Sequence, residues 1–448
     1  MYVDKQLCKP ERCDLACADT CTQIHGDKAP LILDENTGYP VIDEENCTYC
    51  LSCVRACPTD ALTPVSDRYK KRKAEDDAMK SERRKPPYRV SDEYTPFPEG
   101  QNIFARVLND ESFSCYRQSV YSNAHQMISK DLPGYSRIEH ELVMAAWKLY
   151  DNRHKITPAT IQMSKEGQQI DGEWSCITRF IKKAAKFFGA DLVGVAELDR
   201  KWLYSTNRKG EDYDIPEEYD RAIVMAIEMD YESINTSPAM PCSAASVLGY
   251  SKMAFVEIML SAFIKRLGYS AIPCGNDVGL SVPLAIDTGL GQYGRHGLLI
   301  TEEYGPRVRL CKVLTDMPLH TDQPDYPFCE SVIRFCEVCE KCAEHCPSQS
   351  IPYGKERTWE GETCSNNPGV FKWYVDVESC YEFWIENGGD CSNCIRSCPY
   401  NREPGLQLRI IHWVAKHIPQ LSGFLVRLDN LLGHGMQQEP EKAWQQYE

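Results

Sequence analysis

The stretch CEVCEKCAEHCP, residues 336–347, sets Cys336, Cys339, Cys342 and Cys346 in a C-x2-C-x2-C-x3-C run closed by Pro347. That is the ligand run of bacterial two-cluster ferredoxins, in which three close thiolates hold one [4Fe-4S] cluster and the fourth, before proline, ligates the other. Short loops let three successive Sγ atoms converge on one group of irons, and the next turn carries the last thiolate away. A partner run is therefore required. CSNCIRSCP supplies Cys391, Cys394 and Cys398 before Pro399, with Cys380 upstream. The pattern assigns Cys336, Cys339, Cys342 and Cys398 to one cluster and Cys346, Cys380, Cys391 and Cys394 to a second. Zinc ribbons use paired C-x2-C hooks, not a four-thiol run ending in proline.

The same run recurs near the N-terminus as CTYCLSCVRACP, with Cys47, Cys50, Cys53, Cys57 and Pro58, preceded by Cys8, Cys13, Cys17 and Cys21 at C-x4-C-x3-C-x3-C spacing. Crossing the fourth ligands gives a cluster on Cys47, Cys50, Cys53 and Cys21 and another on Cys8, Cys13, Cys17 and Cys57, so four [4Fe-4S] clusters are expected. From KQLCKPERCDLAC through CVRACP this unit resembles the iron-sulfur domain of the ATP-binding-cassette ribosome recycling factor. No G-x4-G-K-[ST] phosphate loop occurs in the chain, so no ATPase function is implied. The remaining cysteines, Cys115, Cys176, Cys242, Cys274, Cys311, Cys329 and Cys364, read as buried apolar residues.

With 448 residues, the chain is long enough for two to four domains and needs no disulfide staples. Its N-terminus, MYVDKQLCKPERC, shows neither a signal peptide nor a twin-arginine signature, which predicts a cytoplasmic protein whose thiols bind metal. The longest apolar stretch, Met253 to Ile264, carries Glu257 and is too short to span a bilayer, so no membrane span is expected. A net charge of −15 argues against a nucleic-acid partner, because such binding relies on Lys and Arg.

Between the thiol-rich ends the sequence alternates α and β character. Ser175 to Ala190 has helical spacing and ends at Gly189. DLVGVAEL and AIVMAIEM read as strands, and Ser251 to Gly268 as a helix capped by Ser251. LLIT (298–301) and VRLCKVLTD (308–316) read as strands joined through Gly305 and Pro306. GLGQYG fits a dinucleotide fingerprint but runs into a strand, whereas that fingerprint must open a helix. The tail after Leu406 reads as two amphipathic helices broken near Pro419. The charged segment from Lys70 to Arg89 marks a linker.

From about residue 135 to 433 the chain resembles the corrinoid-dependent reductive dehalogenases. The matching stretches are KKAAKFFGADLVGVAELDRKW, LGYSKM, LGYSAIPCGND, AIDTGLGQYGRHGLLITEEYGPRVRLCKVLTDMPL, FCEVCEKCAEHCPSQSI and CYEFWIENGGDCSNCIRSCPYN. The resemblance implies an α+β fold, with a nitroreductase-like core holding a base-off cobamide (a corrinoid) and flanked by ferredoxin-like 2[4Fe-4S] modules. It implies reductive removal of halide from a small organohalide. The expected domains are 1–66 (N-terminal clusters), 67–100 (linker), 101–325 (cobamide-binding core), 326–405 (C-terminal clusters) and 406–448 (helical tail). The family's catalytic tyrosine falls on Tyr250, its assisting asparagine on Asn276, and its arginine on Arg309 in preference to Arg307. A guanidinium near the phenol favours the phenolate and so makes Tyr250 a better general acid. Trp384 is a candidate wall of an apolar pocket. A soluble low-potential donor of the ferredoxin or flavodoxin type is the expected electron source, entering through the N-terminal clusters. The rival readings are an epoxyqueuosine reductase-like tRNA-modifying enzyme, whose acid is an aspartate and whose tRNA substrate the net charge disfavours, and a non-catalytic electron-transfer polyferredoxin.

Overall fold

The computed structural model describes residues 2–3, 8, 10–34, 37–43, 53, 56–58, 61–63, 86–155, 170, 172–213 and 215–447. Cys47, Cys50 and most of the charged linker lie outside these residues. The chain forms two compact units. One comprises Met1–Lys85, Ser164–Ala184 and Pro318–His320, and the other Pro86–Met163, Ala185–Met317 and Thr321–Glu448.

In the first unit β1 (Tyr2–Val3), α1 (Ala16–His25), β2 (Leu31–Leu33), β3 (Pro40–Ile42) and β4 (Leu62–Thr63) follow in order. Strand β1 pairs antiparallel with β4, and β2 with β3. Asp14 and Leu15 adopt φ of 45° and 56°, turning the chain between the helical turn Pro10–Cys13 and α1. Cys17 and Cys21, one helical turn apart, therefore share the buried side of α1 and pack with Leu31, Cys53 and Leu62.

The second unit is built on an antiparallel sheet of four strands, β5 (Leu192–Glu197), β6 (Arg221–Glu228), β7 (Ala271–Cys274) and β10 (Val308–Thr315), in the order β5-β6-β10-β7. This is an α+β arrangement. Seven of the eight β6 residues are buried, as a central strand covered on both faces requires. Side chains alternate along β10, so Leu310 and Leu314 meet α6 (Ser281–Asp287) through Leu284 and Ile286, while Arg309 and Cys311 face the long helix α5 (Met240–Arg266). Between these lie α2 (Arg137–Ala146), opened by a Ser136–Glu139 capping box, and α3 (Lys148–Asp151), both packed on α5.

Several sequence expectations need correction. Helix α5 begins at Met240, with Pro241 in its first turn, so Ser251 is not its cap. Ser251 is buried in the helix interior, where its hydroxyl accepts from Tyr150 N at 3.3 Å and bonds Ala146 O. The LLIT strand, β9 (Leu299–Ile300), pairs with β8 (Gln292–Tyr293) and not with β10. The turn expected at Gly305 is present, with Thr301 and Gly305 paired across it, and the glycine, at φ 55°, also meets a close approach, since a Cβ there would lie 2.2 Å from Tyr400 O. Other expectations stand. Trp174–Phe187 is helical (α4), with Gly189 at φ 111° beyond its end. The GLGQYG segment does run into strands. Helix α5 is long and apolar enough to cross a membrane, but most of it is buried inside the protein.

Helices α7 (Tyr326–Val338), α8 (Val377–Asn387), α9 (Asn393–Arg396), α10 (Leu406–His417) and α11 (Ser422–Leu431) complete the unit, with Pro419 in the break between α10 and α11. The buried Asp429 of α11 pairs with both Lys341 and Arg402, tying α11 to the thiol loops.

Candidate functional site

Tyr250 lies in the middle of α5, half-buried, and three groups surround its ring. Trp147 stacks on it at 5.4 Å and 16°, Tyr150 lies tilted at 5.3 Å, and the Arg309 guanidinium carbon stands 4.6 Å from its centroid. A cation over an aromatic face is attracted by the ring quadrupole. Arg309 Nε also donates to Ser246 O at 3.4 Å. Gly249 makes this approach possible: a Cβ there would meet Arg309 Cγ at 2.8 Å. The glycine of LGYSKM is thus explained by its neighbour on β10. Arg307 has a different task, being fully buried and bonded to Met229 O at 3.0 Å, Asn401 Oδ1 at 3.0 Å and Glu228 Oε1 at 2.6 Å.

Asn276 sits in the loop after β7. Among the described residues no hydrogen bond joins it to Tyr250 or Arg309. Its loop is firmly held, because Lys312 Nζ donates to Gly275 O at 2.7 Å and Asp277 O at 3.0 Å. Val278, two residues on, adopts φ 68°, a strained conformation for a β-branched residue and one that persists only where its surroundings over-determine it. Trp384 does not join the Tyr250 group; it packs with Ile103, Phe113, Tyr381 and Ile385. The aromatic residues that meet Tyr250 are Trp147 and Tyr150. Neither could be found by spacing, since they lie about one hundred residues away in sequence.

The C-terminal thiols gather in two groups. Burial, then the charges of Cys336, Cys339, Cys398 and Cys394, push the Cys342 thiol well above its ordinary value, and Cys398 is raised by burial and then by Cys336 and Cys339. Burial, followed by Cys394 and Cys346, raises Cys380, while burial and then Cys346 raise Cys394 to about 12. In the N-terminal unit burial and then Cys57 push Cys17 up to about 11, with Cys13 and Cys8 adding to the effect. Cys21 and Cys53 share one packed cluster. Cys342 is also raised by Cys394, and Cys17, Cys21, Cys53 and Cys57 lie in one packed cluster, so the thiols of each region are neighbours across the expected sets as well as within them. Among the described residues no group of three or more His, Cys, Asp or Glu side chains is set to hold a single metal ion. Of the unassigned cysteines all are buried except Cys364, which is exposed, contrary to expectation.

The second thiol group is joined to the helix of Tyr250. Ser237 Oγ accepts from Ser392 N at 2.8 Å and donates to Asn393 Oδ1 at 2.8 Å, and Ser246 and Ser392 hydroxyls meet at 3.5 Å. Cys394 and Leu298 pack against Met229, Cys242 and Ala245. Ala245 and Ser246 are little more than a turn from Tyr250.

Comparison with known proteins follows the same lines. Residues 40–63 match the 4Fe-4S binding domain family. A tetrachloroethene reductive dehalogenase of Sulfurospirillum multivorans is 32% identical over 369 residues, covering 72% of this chain and 73% of that protein. The chain belongs to the reductive dehalogenase family. A tetrachloroethene reductive dehalogenase of Desulfitobacterium hafniense is 38% identical over 307 residues, covering 59% of this chain and 55% of that one. The chain thus spans about half the length of some curated relatives it matches. A solved reductive dehalogenase structure shares the fold at a TM-score of 0.64 and 23% identity, covering 83% of this chain and 53% of that one. Membership of the family implies iron-sulfur clusters and a corrinoid.

Proposed function

We propose that this protein is a cobamide-dependent reductive dehalogenase that replaces halide by hydrogen in a small organohalide, with Tyr250 as the proton donor. The observation that carries this reading is the enclosure of Tyr250 by Trp147, Tyr150 and the Arg309 guanidinium, on a helix bonded to a thiol-bearing loop.

The residues suit the cofactors. Buried thiols that raise one another cannot ionise together unless positive charge is supplied, and an iron cluster supplies it. Cys336, Cys339, Cys342 and Cys398 would hold one cluster, and Cys346, Cys380, Cys391 and Cys394 another. Cys8, Cys13, Cys17 and Cys57, and Cys21 with Cys47, Cys50 and Cys53, would hold the N-terminal pair. For the cobamide, His296 is informative. Burial lowers it to about 4, its Nδ1 accepts from Leu298 N at 3.2 Å, and its Nε2 is buried with no partner among the described residues. A neutral imidazole in that tautomer offers one N–H, and Trp373 Nε1 offers a second. Such unpartnered N–H groups would suit the amide-rich rim of a corrinoid. When bound, the clusters carry electrons to a cobalt centre that engages the carbon–halogen bond.

Tyr250 would hold the transferred proton on its hydroxyl, and Arg309 would stabilise the negative charge left behind. Trp147 and Tyr150 keep water from the ring, and Asn276 would orient the phenol or the departing halide. The core of the second unit corresponds in this reading to a nitroreductase-like cobamide domain. A soluble ferredoxin or flavodoxin in the cytoplasm would be the donor.

Anaerobic purification from cobamide-supplied cells should yield a bound-corrin spectrum and turnover of tetrachloroethene or a halogenated phenol. Tyr250→Phe should lower turnover by about 100-fold or more while corrinoid and iron contents stay unchanged. Full activity in that variant would remove Tyr250 as the donor.

A further inference from the structure

Helix α5 carries a second group with chemistry. Glu257 follows Tyr250 by seven residues, two helical turns, which places it on the same face about 10 Å along the axis. It is 2% exposed, and its Oε2 is buried with no hydrogen-bond partner among the described residues. An ionised carboxylate in that position is costly, because no partner replaces the lost water.

The groups around Glu257 do not compensate it. Lys312 leaves β10 on the opposite face of the sheet, and its ammonium, near enough to be felt, is committed to Gly275 O, Asp277 O and Ser281 Oγ. Arg153, after α3, is bonded to Asp277 Oδ2 at 2.9 Å and lies over the Tyr150 ring at 4.2 Å. Cys274 of β7 and Cys311 of β10 complete the surroundings, both buried with raised thiols. Burial first, and the Asp277 charge second, push Glu257 up to about 8 against the pull of Arg153 and Lys312. At neutral pH the side chain holds a proton.

Gly275 marks where that proton can go. A Cβ at this position would stand 3.6 Å from Glu257 Oε2 and 3.7 Å from the Tyr150 hydroxyl. Both oxygens border the space beside the glycine, and no direct hydrogen bond joins them among the described residues, so transfer between them requires a bridging water. The Tyr150 ring in turn lies 5.3 Å from that of Tyr250.

We propose that Glu257 is the proton reservoir that recharges Tyr250, with Tyr150 as the relay between them. The proposal rests on Tyr250 being the donor. After Tyr250 has given its proton to the substrate carbon, the Glu257 O–H bond breaks as an O–H bond forms on Tyr150, and the proton already on Tyr150 passes to the Tyr250 phenolate. No electrons move in this relay. The Glu257 carboxylate then regains a proton from solvent.

Glu257→Gln in the holoenzyme keeps size and polarity but cannot carry the proton. Steady-state turnover at pH 7 should fall by about 10- to 100-fold, while a single turnover of pre-reduced enzyme, which uses the resident proton of Tyr250, changes by less than about twofold. The loss of wild-type turnover above about pH 8 should vanish in the variant. Gly275→Ala adds a methyl at ordinary contact distance and should give the same split between single and repeated turnover with the alkaline limb retained. Infrared difference spectra of the protein at pH 7 should contain a protonated-carboxyl band that Glu257→Gln lacks, a readout independent of turnover and of folding in any one variant. A wild-type pH profile and steady-state rate in Glu257→Gln, or an ionised Glu257 at pH 7, would overturn the relay. Full activity of Tyr250→Phe would instead remove the donor and leave the infrared result standing.

Discussion

The two thiol regions carry the same C-x2-C-x2-C-x3-C-P run and are supported by different means. In the C-terminal region the loops between thiols are hydrogen-bonded into the fold: Ser392 and Asn393 to Ser237, Ser392 to Ser246, and the Cys336 and Cys339 carbonyls to the buried Arg295. Lys341 and Arg402 converge on Asp429 from that same region. In the N-terminal unit, among the described residues, Cys17, Cys21 and Cys53 pack with Leu31 and Leu62, flanked by Val3, Ala29 and Ile42, between strands of two or three residues. Ligand spacing fixes how thiols converge, but the surrounding contacts decide whether the group is part of a larger core. One region is therefore expected to be inseparable from the site at Tyr250, and the other to behave as a module.

The sharpest way to break this contrast is to remove one thiol from each region. Cys342→Ala should reduce dehalogenation to background and destabilise the second unit, because ligand binding and folding are linked there. Cys17→Ala should lower iron content yet leave turnover with a small-molecule reductant unchanged. Equal loss of activity in both would end the distinction. Next in size is Asp429→Ala. It leaves the buried Lys341 and Arg402 uncompensated and should cost about 3–5 kcal/mol in anaerobic denaturant unfolding of the holoprotein.

An effect of comparable size, spread over several pH units, concerns Glu257. Because Glu257 is raised from 4.5 to about 8, the folded protein keeps a proton that the unfolded chain has released. Its contribution to stability is complete below the unfolded value and is lost as pH rises toward 8, with a slope of at most about 1.4 kcal/mol per pH unit. Glu257→Gln should flatten the stability profile across that window. An unchanged profile would mean that Glu257 is ionised in the folded state.

Much of the site was legible before folding. The crossed thiol sets followed from spacing, since a chain with short loops can place successive Sγ atoms in few ways. Tyr250, Asn276 and Arg309 came from the resemblance of LGYSKM, CGND and GPRVRL to a known family, and the structure brings Arg309 onto the Tyr250 ring while leaving Asn276 in a separate loop. Cys364 was misjudged, because the burial of a single Cys depends on packing that local pattern does not record. Ser251 reads as a cap by residue type alone, whereas the helix starts at Met240 and runs through Gly249. In the structure that glycine admits the stem of Arg309.

By itself the sequence determined the thiol spacing, several of the main helices and strands, and the family, because these are written in spacing, periodicity and collinear motifs. Only the tertiary structure decided which side chains surround Tyr250. Trp147, Tyr150 and Arg309 come from segments far apart in the chain, and the sheet and α5 bring them together. Glu257 shows the difference most plainly. In the sequence it is a single charge in an apolar helix; in the fold it is a carboxyl cut off from water with no countercharge of its own, and it is that environment that makes it hold a proton.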